Sequence, residues 1–149
     1  MQQEFIVPSD HEIVTTRLIN APRETVFRAW TDPDVLKEWW GPKGFTNTFE
    51  MFDLRVGGTW RFIMHGPDKG NYKNECVFLK IEEPSLIAWD RSTQPLFRVV
   101  ATFEEMDDGN TLLTFRMQFA GKEERDKVIG FAGEKNDENF DRLEAELFK

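Results

Sequence analysis

Few side chains in this sequence are equipped for chemistry. His11 and His65 are the only histidines, and neither has Cys, His or paired carboxylates at ligand spacing, so no three- or four-ligand zinc site is expected. Cys76 lies in an apolar-flanked stretch with no adjacent base, the setting of a buried free thiol and not of a nucleophile. Arg55-Val56-Gly57-Gly58 is glycine-rich, but no Lys-Ser or Lys-Thr follows it and no helix begins there. It reads as a strand ending in a two-residue hairpin turn at Gly57-Gly58, not as a phosphate cradle. Asn47, Tyr72, Asn74 and Asn136 remain, able to orient a ligand but poor general bases near neutral pH. No catalytic residue, metal site or cofactor is expected, and the pattern points to binding before proton transfer.

What the chain has in abundance is large apolar surface. Fourteen Phe and five Trp stand against a single Tyr, and such faces must be buried or must line something. Trp60, Phe62 and Met64 share one strand face; Asn47, Phe49 and Met51, then Trp89, Val99 and Phe103, then Phe115 and Met117 have the matching parity on other strands. Ordinary core packing accounts for any one of them. As a set they face a helix whose apolar stripe carries Gly133 and Asn136 midway, ahead of Phe140, where a solid core would carry Leu. That combination predicts a cavity. Trp39 and Trp40 end a short helix about 100° apart, so one ring should pack inward while the other lies near the mouth.

The elements that must hold these residues follow from periodicity. Alternation over Glu12 to Ile19 predicts a strand ended by Asn20-Ala21-Pro22. A short helix then carries Val26, Phe27 and Trp30, and Asp32-Pro33 caps a second one carrying Leu36, Trp39 and Trp40, which Gly41-Pro42 stops. Strands follow near 45–54, 60–65, 72–82, 86–91, 97–106 and 111–119, separated by turn signals. After Gly121 the period becomes helical, with Ile129, Ala132, Gly133, Asn136, Phe140, Leu143 and Leu147 on one side. About 25 residues of helix span roughly 37 Å. The expected class is α+β, with about seven antiparallel strands in one domain over 1–149, its core at about 11–148.

Composition excludes several partners. The net charge of −8 and a pI near 4.8 set a field that repels phosphate backbones and anionic headgroups, so no nucleic-acid or membrane partner is expected. One cysteine excludes an internal disulfide, and Met1-Gln2-Gln3-Glu4-Phe5 has no basic start or apolar run of a signal peptide, which predicts the cytoplasm.

Four motifs in order, Asn20-Ala21-Pro22-Arg23-Glu24-Thr25-Val26-Phe27-Arg28-Ala29-Trp30, Thr31-Asp32-Pro33, Trp39-Trp40-Gly41-Pro42 and Asp53-Leu54-Arg55-Val56-Gly57-Gly58-Thr59-Trp60-Arg61-Phe62, give the chain its resemblance. It resembles the domain homologous to the activator of the 90-kDa heat-shock protein ATPase, in the START-like (SRPBCC) superfamily. The resemblance implies a helix-grip fold, a curved sheet around the C-terminal helix with a cavity between them. It implies a binding protein enclosing an apolar or amphipathic small molecule. A chaperone-binding or other protein-interaction module and a cyclase- or hydrolase-type enzyme are the alternatives, since one fold hosts many functions.

Overall fold

Strand β1 (Glu12–Ile19) is joined through helices α1 (Arg23–Thr31) and α2 (Pro33–Trp39) to β2 (Thr46–Phe52). Strands β3 (Thr59–His65), β4 (Asn71–Glu82), β5 (Leu86–Arg91), β6 (Arg98–Glu105) and β7 (Thr111–Gln118) then precede the long helix α3 (Lys122–Leu147). The computed structural model describes residue 5 and residues 7–149. The segment Met1-Gln2-Gln3-Glu4, on which the expectation of no leader rests, lies outside the described residues.

Among the described residues, seven strands form one antiparallel sheet in the order β1-β7-β6-β5-β4-β3-β2. Strands β1 and β2 are thus opposite edges, and the α1–α2 pair carries the chain across the full width, about 29 Å for six interstrand gaps. One helix, about 10–12 Å wide, cannot cover such a face. The two short helices complete the cover that α3 begins, and this is the helix-grip arrangement that the resemblance implies. Asp32 caps α2 as its sequence suggests, Oδ1 accepting from the Asp34 N–H at 3.0 Å with Pro33 in the first turn.

Three expectations need correction. The first concerns Met51. An extra residue between Phe49 and Met51 bulges β2, so that Phe49 faces Phe62 while Met51 faces Arg61 and Phe52 faces Trp60. Side chains alternate with period two, so one inserted residue exchanges the faces. Met51 is 43% exposed on the outer side, and Phe52 takes its inner place, stacked on Phe49 at 5.9 Å.

The second concerns the α3 stripe. Its buried residues are Val128, Ala132, Asn136, Asn139, Phe140 and Leu143, whereas Ile129 and Gly133 point outward. Open space surrounds the position a Gly133 Cβ would take. The stripe centres on two asparagines, and a hydropathy pattern treats those as polar and slides toward Ile129 and Gly133 instead.

The third is the β2–β3 connection, which is six residues long and not two. Asp53 N–H bonds Thr59 O at 2.9 Å, and inside it Arg55 to Gly58 make a β-turn closed by Gly58 N–H on Arg55 O at 2.8 Å. Gly57 holds φ +84°, and a Cβ on Gly58 would fall 2.1 Å from Asp53 O, so both glycines are dictated by the turn.

On the convex side Phe5 packs with Leu86, Ala88 and Val100, burying β5 on both faces. Its carbonyl accepts from the Gln118 amide, and the Arg98 guanidinium lies 5.5 Å over its ring.

The outward position of Gly133 is directly testable. Gly133→Ala in a solvent-facing helix interior should raise stability by about 0.5–1 kcal/mol in urea denaturation. A loss instead would return this residue to the sheet-facing side.

Candidate functional site

The concave face is an aromatic layer with one well-packed end. Trp30 sits at its centre, 5.0 Å from Trp39, 5.5 Å from Phe103 and 5.9 Å from Phe115 between ring centroids. Trp60 stacks on Phe62 at 4.3 Å and meets Trp89 edge-on at 5.2 Å. Edge-to-face and offset contacts suit the ring quadrupoles, and the rings here pack closely against one another. Trp60, Phe103 and Phe140 are buried here as packing. Half-buried Phe49 closes the same cluster against Phe52 and Trp60.

At the other end the Trp39-Trp40-Gly41-Pro42 segment is held by polar side chains from α3. The Arg142 guanidinium donates to the carbonyls of Glu38 (3.1 Å), Trp40 (3.3 Å), Gly41 (2.9 Å) and Pro42 (2.9 Å). These are carbonyls at and just past the end of α2, where a cation bonds well. Asn139 Oδ1 accepts from Gly41 N–H at 3.0 Å, and Glu138 Oε1 from Lys43 N–H at 3.2 Å. From the β2 side Asn47 Nδ2 donates to Lys37 O and Trp40 O at 3.1 and 2.8 Å. Asn47 is therefore a brace for the helix end.

Gly41 adopts φ +101°, and a Cβ there would lie 2.7 Å from Met64 Cε, so glycine lets the loop close onto β3. The result sets the paired tryptophans apart. Trp39 is buried with its indole N–H on Ala29 O at 3.0 Å, while Trp40 stays half-buried between Trp30 and Trp60.

Below Trp40, between the sheet and α3, lies a space of about 100 Å3. Its apolar wall includes Trp40, Phe62, Trp89, Val99, Phe115 and Met117. Asn136 borders it too, with Nδ2 donating to Thr15 Oγ1 at 3.2 Å and to Met117 Sδ at 3.5 Å, tying α3 to β1 and β7. Seven of the fifteen residues the sequence suggests therefore border this space. Asn47, Phe49, Trp60, Met64, Phe103 and Phe140 support its surroundings, and Met51 and Gly133 face away from it.

Four further residues border the space: Cys76, Arg91, Phe97 and Asn139. Arg91 follows Trp89 by two in β5, so the same parity that selects Trp89 selects it; only its charge argues for the outside. Cys76 stands opposite Arg91 in the ladder. Burial pushes its thiol pKa up to about 12, the Arg91 charge opposing that only in part. Phe97 lies before β6, and Asn139 hides beside Asn136 on the helix. Of the other polar candidates, Asn74 is buried and bonded to Arg91 and to Tyr72 O, and exposed Tyr72 donates to Asp68. His65 bonds Thr48 and Asn71 on the surface, and His11 lies 3.6 Å from Asp10.

The model of the family described as activator of Hsp90 ATPase homolog 1-like protein matches residues 20–147. Among solved structures, a Nitrosomonas europaea protein superposes with TM-score 0.86 at 20% identity, covering 95% of this chain and 97% of its own. A Rhodobacter sphaeroides protein gives 0.85 at 22% identity and 95% of each chain, and an Arthrobacter aurescens protein 0.85 at 23%, covering 93% of this chain and 86% of its own. At these identities the likeness is one of fold. No curated protein sequence matches the chain.

Two asparagines separate the helix clamp from the helix strut. Asn139→Leu leaves the buried Gly41 N–H unpaired and should cost about 1–3 kcal/mol in denaturant unfolding. Asn136→Leu frees a half-buried Thr15 hydroxyl that can turn to water and the Met117 thioether, a weak acceptor, and should cost under about 1 kcal/mol. Equal losses would mean that the two carry the same load. At pH 8 Cys76 should react with a colorimetric disulfide reagent only after denaturation, because neither access nor thiolate is available in the fold; rapid labelling of native protein would contradict its burial.

Proposed function

Because the chain belongs to the activator of Hsp90 ATPase homolog 1-like family, a START-like family, we propose that it is a binding domain enclosing an apolar or amphipathic small molecule between sheet and α3. The observation that carries this reading is the space beneath Trp40, beside a closely packed aromatic layer. Native interiors leave few voids larger than a water molecule. This one has an apolar wall with a few polar groups at its margin, the composition of small-molecule sites.

Size limits the ligand. A cavity of about 150 Å3 accommodates benzene, so about 100 Å3 suits a branched aliphatic group of four or five carbons. Six non-hydrogen atoms gain at most about 9 kcal/mol at the ceiling of about 1.5 kcal/mol per atom, a sub-micromolar Kd. A fatty-acid-sized ligand requires α3 or the Trp40 loop to move. The bordering groups also favour binding over acid–base catalysis, since the Cys76 thiol is held protonated far above neutral pH and the amides do not titrate. No helix among the described residues is long and apolar enough to cross a membrane.

Titration with small aliphatic alcohols, amides and acids, read by fluorescence of Trp40 and Trp89, should saturate at one per chain. Val99→Leu, which adds a methylene facing the space, should weaken that binding at least tenfold while changing stability by less than about 1 kcal/mol. Overpacking a filled core would instead cost about 1–3 kcal/mol. Absence of saturable binding across the series, with such a stability loss in the variant, would overturn the enclosure reading.

A further inference from the structure

Carboxylates outnumber basic side chains in this chain, 27 Asp and Glu against 19 Lys and Arg, and most arginines find one. Arg17 pairs with Asp141 at 2.7 Å, Arg55 with Asp53 at 2.8 Å, Arg61 with Glu75 at 3.2 Å, Arg98 with Asp90 at 2.8 Å and Arg116 with Glu12 at 3.0 Å. Arg91 does not, although it is half-buried and borders the space beneath Trp40. The carboxylates next to it along the ladder, Glu75 and Asp90, belong to Arg61 and Arg98 on the outer face.

The Arg91 bonds go to neutral acceptors alone: Nε to Pro95 O at 3.0 Å, Nη2 to Gln94 O at 3.1 Å, and Nη1 to the Asn74 amide oxygen. A guanidinium has five N–H donors. Three are thus used, and one on each terminal nitrogen has no protein acceptor; donors on both terminal nitrogens are what a two-pronged carboxylate needs. Burial works against the charge and lowers the Arg91 pKa, yet an arginine stays protonated in proteins. Arg142, the other partly buried arginine without a carboxylate, instead meets four carbonyls at a helix end. Its charge is answered by four carbonyls, and that of Arg91 by three neutral acceptors and the face of the Phe97 ring, 5.6 Å away, with no carboxylate.

Resting on the enclosure reading, we infer that Arg91 is the anion-recognising residue of this site and that its ligand is a small branched or short-chain monocarboxylate. The aliphatic tail fills the space against Phe62, Phe115 and Met117, and the carboxylate takes the two free N–H donors. Asn74 positions the guanidinium. The net charge of −8 lowers the encounter rate for anions generally, so selectivity comes from this local desolvated charge and not from the field of the whole protein.

The test compares 3-methylbutanoate with its neutral isostere 3-methylbutanamide at pH 7, where the acid is ionised. Calorimetric titration of the wild-type protein should show the acid binding about tenfold to a hundredfold tighter, as a charge-assisted bidentate bond implies. Arg91→Gln should abolish the preference while the amide keeps its affinity, and Arg91→Lys should retain only part of the preference. Circular dichroism establishes that each variant is folded, and the wild-type comparison stands without them. Saturable binding of both compounds with equal affinity to the wild-type protein overturns the role of Arg91 and leaves the enclosure reading intact. If neither compound saturates while larger or neutral ligands do, the ligand class is wrong; if nothing saturates, the enclosure reading fails and this inference with it.

Discussion

The contact on which the rest depends is the grip of α3 on the end of α2. A seven-stranded sheet offers a wider apolar face than one helix can cover, so α1 and α2 must be fixed beside α3. Arg142 does this by answering four backbone carbonyls, with Asn139 and Glu138 taking two N–H groups of the same loop. Hydrogen bonds to a charged donor contribute about 1.5–3 kcal/mol, and the carbonyls they satisfy would be costly to bury alone. The polar clamp fixes the backbone at Trp40, and the ring, set against Trp30, Trp60 and Trp89, roofs the space below.

From that roof the interior grades from dense to open. Around Trp30 and Trp60 the rings meet edge-on, tilted or stacked. Toward Arg91 and the two asparagines the packing gives way to a space bordered by groups with unspent hydrogen-bonding capacity. The buried indole N–H groups of Trp30 and Trp60 have no partner within the described fold, and their neighbours there are ring faces. The dense end secures stability, and that leaves the other end free to remain incompletely filled.

The two partly buried arginines without a carboxylate partner, Arg91 and Arg142, show how context assigns a role to one side-chain type. Both feel desolvation, which lowers each pKa. Arg142 lies against a row of carbonyls and is structural. Arg91 lies at the edge of a void, opposite a thiol that stays protonated, with neighbouring carboxylates committed to other partners on the outer face. Within the fold its charge meets three neutral acceptors and the Phe97 ring, and no carboxylate.

Period and punctuation determined the architecture. Alternation in Glu12 to Ile19, the Asp32-Pro33 cap, the turn glycines and the switch to a 3.6 period after Gly121 are local signals, and each acts through backbone sterics that need no distant partner. Most of the inner strand faces were legible for the same reason, from Trp60 and Phe62 to Phe115 and Met117. What local signals could not decide was phase. The bulge before Met51 exchanged the faces of β2. The buried side of α3 followed Asn136 and Asn139 in place of Gly133, because a polar residue with a partner across the interface is as good at an interior position as an apolar one. Arg91 and Arg142 were hidden likewise. A charged side chain reads as surface until the fold brings it carbonyls to bond or leaves it beside an open space, and only the assembled tertiary structure supplies either.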